Sequence, residues 1–120
     1  MTDRTLIVDR LQHPSGVVVL SVTGELDQHT APEFTRVVEE SPFGPDRPAV
    51  IDLTELTYCD STGITALVVA YNHAQDARAP FVIAGLNSDL TRVFQIVGLD
   101  QLFTFRPTLA SALGSLERSG

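Results

Sequence analysis

Ala49-Val50-Ile51-Asp52-Leu53 is followed by Tyr58-Cys59-Asp60-Ser61-Thr62-Gly63, and then by Ile64, Leu67, Val68 and Tyr71. The first run is apolar and rich in β-branched residues, which predicts a strand. The last set recurs at i, i+3, i+4 and i+7, which predicts one face of a helix. A polar connection joins them. The pattern repeats downstream: Phe81-Val82-Ile83-Ala84-Gly85 reads as a strand, and Leu90, Val93, Phe94 and Val97 as a helix face that ends at Gly98. Leu102-Phe103-Thr104-Phe105 reads as a short strand, and Leu109, Ala112, Leu113 and Leu116 mark a last helix. Upstream, Leu6-Ile7-Val8 and Val17-Val18-Val19-Leu20-Ser21-Val22 flank His13-Pro14-Ser15-Gly16, a hairpin signal. A helix is expected from about Ala31 to Glu40, with Ala31, Phe34, Val37 and Val38 on one face. Thr30 is its expected N-cap, with Pro32 and Glu33 suited to the first turn.

The expected order is β-β-α-β-α-β-α-β-α, an α/β fold. Strand–helix–strand alternation requires parallel pairing through right-handed crossovers. The opening hairpin adds an antiparallel strand, so the sheet should be mixed and mostly parallel, with about five strands and about four amphipathic helices. At 120 residues the chain is the size of one domain. Its richest Pro/Gly stretch, Ser41 to Pro48, is a loop and not a boundary.

Composition narrows the function. There are 15 acidic residues against 8 basic ones, all of them Arg, for a net charge of -7. An acidic surface repels phosphate backbones, which argues against autonomous nucleic-acid binding. The absence of Lys removes a P-loop lysine, a Schiff-base lysine and the lysine that a phospho-accepting Asp of the receiver type would need. The one cysteine, Cys59, permits no internal disulfide and reads as a small apolar residue at a strand end. Met1-Thr2-Asp3-Arg4 opens no secretion signal, and no apolar run approaches the roughly 20 residues of a membrane span. A soluble, cytoplasmic protein is expected, with no membrane partner.

Function in α/β sheets gathers where strands end and helices begin. Two such places stand out, Gly24-Glu25-Leu26-Asp27-Gln28-His29-Thr30 between the second strand and first helix, and Tyr58-Cys59-Asp60-Ser61-Thr62-Gly63. Ser61 is an N-cap candidate, and Asp60 could equally be the cap. Ile64 closes no capping box, and Gly63 leaves the backbone open to close approach. A hydroxyl at a helix N-terminus is a favourable seat for a phosphate, because N–H groups and the dipole both stabilise negative charge. The plainer reading is a helix cap and nothing more. A hydrolase is disfavoured: only His29 could approach Ser61, and the nucleophile-elbow glycine is missing. A metal site from Asp27, His29 and Asp60 is an alternative, but solvated loop residues explain them more simply. A nucleotide-binding domain is disfavoured by the lack of a Gly-rich phosphate loop.

Taken together, Gly24-Glu25-Leu26-Asp27-Gln28-His29-Thr30-Ala31 and Asp60-Ser61-Thr62-Gly63-Ile64 resemble the two signature stretches of bacterial anti-sigma factor antagonists, the small single-domain STAS proteins. Arg92-Val93-Phe94 and Val97-Gly98-Leu99 fit the same family's third helix, so the resemblance spans nearly all of residues 1–120, expected as one STAS domain. It implies a regulatory protein with no catalytic residues, cofactor or metal. Such a protein binds an anti-sigma factor that is also a serine kinase and thereby frees a sigma factor for transcription. Phosphorylation of the serine after the motif's aspartate, here Ser61, ends the binding in a partner switch, and a metal-dependent serine phosphatase reverses it. The family's acidic positions carry over to Asp27 and Asp60, and Thr62 replaces a serine found in some members. The implied partner-binding residues are Glu25, Asp27, Asp60, Ser61, Thr62 and Gly63. Leu26, Tyr58 and Ile64 are candidate apolar anchors, though each reads more readily as core, Ile64 most of all. The alternative is a STAS scaffold, or an accessory subunit of a signalling or lipid-transport complex, without sigma-factor control.

Overall fold

The computed structural model describes residues 5–117, so the Met1-to-Arg4 reading lies outside the described residues. Two antiparallel strands, β1 (Leu6–Gln12) and β2 (Val18–Leu26), open the fold. There follow α1 (Ala31–Glu40), β3 (Ala49–Asp52), β4 (Leu56–Cys59), α2 (Ser61–Asp76), β5 (Phe81–Ala84), α3 (Ser88–Ile96), a 3-10 turn (Leu99–Gln101), β6 (Thr104–Arg106) and α4 (Leu109–Glu117). The sheet runs β1-β2-β3-β5-β6, with β4 also paired to β2. Among the strand pairings of the described residues, β1–β2 is antiparallel and the others are parallel. The expected mixed, mostly parallel α/β sheet with four helices is therefore the observed one.

Two apolar layers hold it together. Val18, Leu20, Val22, Ile51 and Ile83 pack under α1, α2 and α3 on one face. Val17, Val19, Val50, Val82 and Ala84 pack under α4 on the other. β5 is buried at all four positions, as is β3 except at Asp52, because helices cover both faces. That double burial is why these strands read as continuous apolar runs rather than alternating ones. The α1 stripe is the predicted one, Ala31, Phe34, Val37 and Val38.

Four expectations need correction. The sheet has six strands, because Leu56–Cys59 forms β4. Nine-residue β2 outruns four-residue β3, which pairs only with Val18–Ser21; β4 takes the edge left open at Gly24–Leu26. Only Leu56 in β4 is fully buried, so the segment carries no apolar run to announce it. Gly24, Glu25 and Leu26 are accordingly the end of β2, not a loop. Gly24 has φ +108°, and a Cβ there would lie 2.4 Å from the Thr5 carbonyl oxygen, so the strand needs glycine at that point. Finally, Val93 and Val97 do not join the core: α3 buries Leu90 and Phe94, while Val93, Ile96 and Val97 are exposed. Leu102 is also exposed, and β6 begins at Thr104. On the core side of α3, Phe94 makes aromatic contacts with Phe103 and Phe105.

Candidate functional site: two helix starts at the end of β2

Parallel pairing of β2 with β4 sets Glu25 opposite Tyr58 and Leu26 opposite Cys59. The residues that follow each strand, Asp27 and Asp60, therefore emerge side by side. The Asp60 amide donates to the Leu26 carbonyl at 3.2 Å and ties the two segments together. A hollow of about 300 Å³ lies between them, lined by Asp27, Gln28, His29, Tyr58 and Asp60. The two signature stretches thus form one surface.

The first stretch is locked. Asp27 is 2% exposed. Its Oδ1 accepts from the amides of His29 at 2.9 Å and Thr30 at 3.1 Å. Its carbonyl accepts from the Ala31 amide at 2.7 Å, which starts α1. Thr30 is buried and αR, and its hydroxyl does not cap the helix. Instead Thr30 Oγ1 donates to the Glu25 carbonyl at 2.7 Å and accepts from the Asp27 amide at 2.9 Å. Thr30 thus holds the expected N-cap position but makes no side-chain cap bond, because it lies inside an Asp27-centred turn and its hydroxyl is drawn to the end of β2. Glu25 is half-buried at that end, while Gln28 and His29 are exposed.

The second stretch is half open. Asp60, not Ser61, is the N-cap of α2: it is extended, and its Oδ1 accepts from the Gly63 amide at 2.9 Å. An N-cap carboxylate also complements the positive end of the helix dipole. Ser61 and Thr62 occupy the first two helical positions and are exposed. The Thr65 hydroxyl donates to the Ser61 carbonyl at 3.0 Å, one turn on. Gly63 is buried, and a Cβ there would lie 2.3 Å from the Leu26 carbonyl oxygen and 2.8 Å from Cys59 Sγ. Only glycine lets α2 begin this close to β2. Burial, and secondarily the Asp60 charge, pushes the Cys59 thiol up to about 12, so it stays protonated near neutral pH.

Of the candidate anchors, Leu26 is wholly buried, Ile64 is half-buried against the core, and Tyr58 is 42% exposed. Among the described residues no group of three His, Cys, Asp or Glu is placed to hold a metal ion, so Asp27, His29 and Asp60 do not form such a cluster. Ser61 is not among the residues lining the hollow that contains His29. No helix among the described residues is long and apolar enough to cross a membrane.

Beside the site runs a groove that sequence reading missed. It holds about 440 Å³ and is lined by Gln28, Ala31, Pro32, Thr35 and Glu39 from the α1 side, and by Thr62, Thr65, Ala66 and Val69 from α2. Thr62, Thr65, Ala66 and Val69 fall at i, i+3, i+4 and i+7, a signal hidden because half of the stripe is hydroxylated.

These features agree with comparisons to known proteins. A family model described as the STAS domain matches residues 10–112. The anti-sigma-B factor antagonist of Listeria monocytogenes is 34% identical over 85 residues, 71% of this chain and 75% of that protein. The crystal structure of an anti-sigma factor antagonist from Mycobacterium paratuberculosis superposes with a TM-score of 0.78 at 31% identity, covering 92% of this chain and 93% of that one. The Bacillus cell fate determinant SpoIIAA, solved in its phosphorylated form, shares the fold at a TM-score of 0.70 and 17% identity, over 92% of this chain and 99% of that one. With its strand order, its two joined signature stretches and these matches, the chain belongs to the STAS domain family.

Proposed function

We propose that this protein is an anti-sigma factor antagonist. It binds an anti-sigma factor serine kinase, releases a sigma factor, and is switched off by phosphorylation of Ser61. It acts as a single cytoplasmic domain and a regulatory binding protein, without catalysis of its own. It contacts neither nucleic acid nor membrane directly, and a serine phosphatase restores the unmodified form. The curated relatives that carry this name support the reading. The observation that carries it is the exposure of Ser61 at the first position of α2, while the neighbouring Asp60 supplies the cap. A hydroxyl so placed can be modified without costing the helix its cap.

The chemistry follows from position. A phosphoryl group brings roughly -1.5 to -2 charges. The helix N-terminus stabilises that charge, so the fold survives it. A kinase must present the polyphosphate of ATP to this hydroxyl. A phosphate on Ser61 then meets the nucleotide's remaining phosphates, and Glu25 and Asp60 add to the negative field. A loss of about 2.8 kcal/mol weakens binding about a hundredfold, enough for a switch. Glu25, Asp60, Thr62 and Tyr58 form the contact surface around Ser61, whereas buried Asp27 and Gly63 shape it from beneath.

The test is intact-mass spectrometry after incubation with ATP and an anti-sigma kinase encoded in the same genome, with wild type and Ser61→Ala side by side. One added phosphoryl group on wild type and none on the variant is the expected result. Equal modification of both proteins would move the site, first to Thr62. No modification by any kinase of this class would sink the reading.

A further inference from the structure

We propose that the α1–α2 groove is a second docking surface, adjoining the Ser61 surface at Thr62, which receives a segment of the partner kinase bearing one large apolar side chain between basic residues. This rests on the reading of the protein as a kinase-binding antagonist. The groove has the makings of a helix-in-groove seat. Among its lining residues Ala31 and Ala66 are buried, Pro32 is exposed and Val69 is 45% exposed. Small side chains along both helices let an incoming backbone come close, and about 440 Å³ accommodates a large apolar side chain.

Charge selects the occupant. Among the described residues Glu39 is the only charged one lining the groove, and no cation lines it. Arg36, on the same helix, is engaged by Glu33 and Glu40. Asp76 lies two helical turns beyond Val69 on the same side of α2. A basic flank on the partner would complement this rim. A second copy of the chain, at net charge -7, would not.

The groove is also continuous with the site. Thr62, which lines it, directly follows Ser61, and Gln28, at its other wall, directly follows Asp27. A partner placed on Ser61 therefore reaches the groove without leaving the surface. The two places divide the work. Ser61 meets the nucleotide and carries the switch. The groove holds a part of the partner that phosphorylation does not touch, and so sets which kinase is recognised.

The experiment measures binding of the purified kinase, with bound nucleotide, to wild type, Val69→Arg, Glu39→Lys and Ser61→Glu. Steady-state phosphorylation is measured on all but the last. Val69 and Glu39 are surface positions, and circular dichroism melts check that each variant is folded. Val69→Arg should weaken binding tenfold or more. It should raise KM with kcat unchanged, because it removes a docking contact and leaves the reacting hydroxyl alone. Glu39→Lys should weaken binding about threefold at low salt, with the difference closing as salt rises. If folded Val69→Arg and Glu39→Lys bind and are phosphorylated like wild type while Ser61→Glu fails to bind, the groove proposal is wrong and the antagonist reading stands. If wild type itself binds no kinase of the class, both fall. A concentration-dependent dimer that Val69→Arg abolishes would give the groove to a second copy and overturn the proposal.

Discussion

Two helices of this protein begin a few ångströms from the same strand end, each beside an aspartate and a β-hydroxyl residue, and the two starts are built in opposite ways. At α1 the hydroxyl is Thr30, buried, donating to one backbone group and accepting from another. At α2 it is Ser61, exposed, with the capping left to Asp60. The aspartates differ as well: Asp27 is buried inside its own turn, whereas Asp60 is half-buried at a helix end. One start fixes the surface and the other offers a group to be modified. A residue type at a helix start does not say which job it has; what decides is whether backbone groups in need of a partner surround it.

The contrast can be broken most severely from the packed side of α2. Gly63→Val should cost about 3 kcal/mol, since the added atoms meet the Leu26 carbonyl and Cys59 Sγ and the helix must lift off β2. Urea unfolding would read it as a lower midpoint with unchanged slope. An unchanged midpoint would mean that the close approach of α2 to β2 is not needed.

Thr30→Val keeps the shape and removes the hydroxyl. The Glu25 carbonyl and the Asp27 amide then lose a partner in a buried turn, at a cost of about 2 kcal/mol. Hydrogen exchange should accelerate first at Asp27 and His29. A change below about 0.5 kcal/mol would show that the turn holds without Thr30. At the small end, Ser61→Ala should leave stability within about 0.5 kcal/mol of wild type, as for any exposed group that caps nothing. A larger loss on thermal melting would make Ser61 a structural residue and erase the difference between the two starts.

Much of the fold was legible in the sequence, for reasons visible in particular residues. Val50, Ile51, Val82 and Ile83 form doubly covered strands, and such strands must be continuously apolar. The α1 face, with Phe34 and Val38 wholly buried, follows directly from helical spacing. Strand β4 was not legible, because Thr57 and Tyr58 are exposed and its existence depends on how far β2 outruns β3. Apolar spacing alone does not separate Leu90 and Phe94, which are buried, from Val93 and Val97, which are exposed.

The candidate site divides in the same way. Ser61 as the residue to watch, and Asp60 as a possible cap, followed from a polar break between an apolar run and a helical stripe. The burial of Asp27, the inward hydroxyl of Thr30 and the α1–α2 groove did not, since each depends on segments far apart in the chain meeting at one place. By itself the sequence determined the alternation of strands and helices, and with it the parallel sheet, because local periodicity and β-branching act over a few residues. Only the tertiary structure decided which of two similar helix starts is sealed and which is open. That depends on the desolvation of each polar group, set by where β2 ends and β4 pairs.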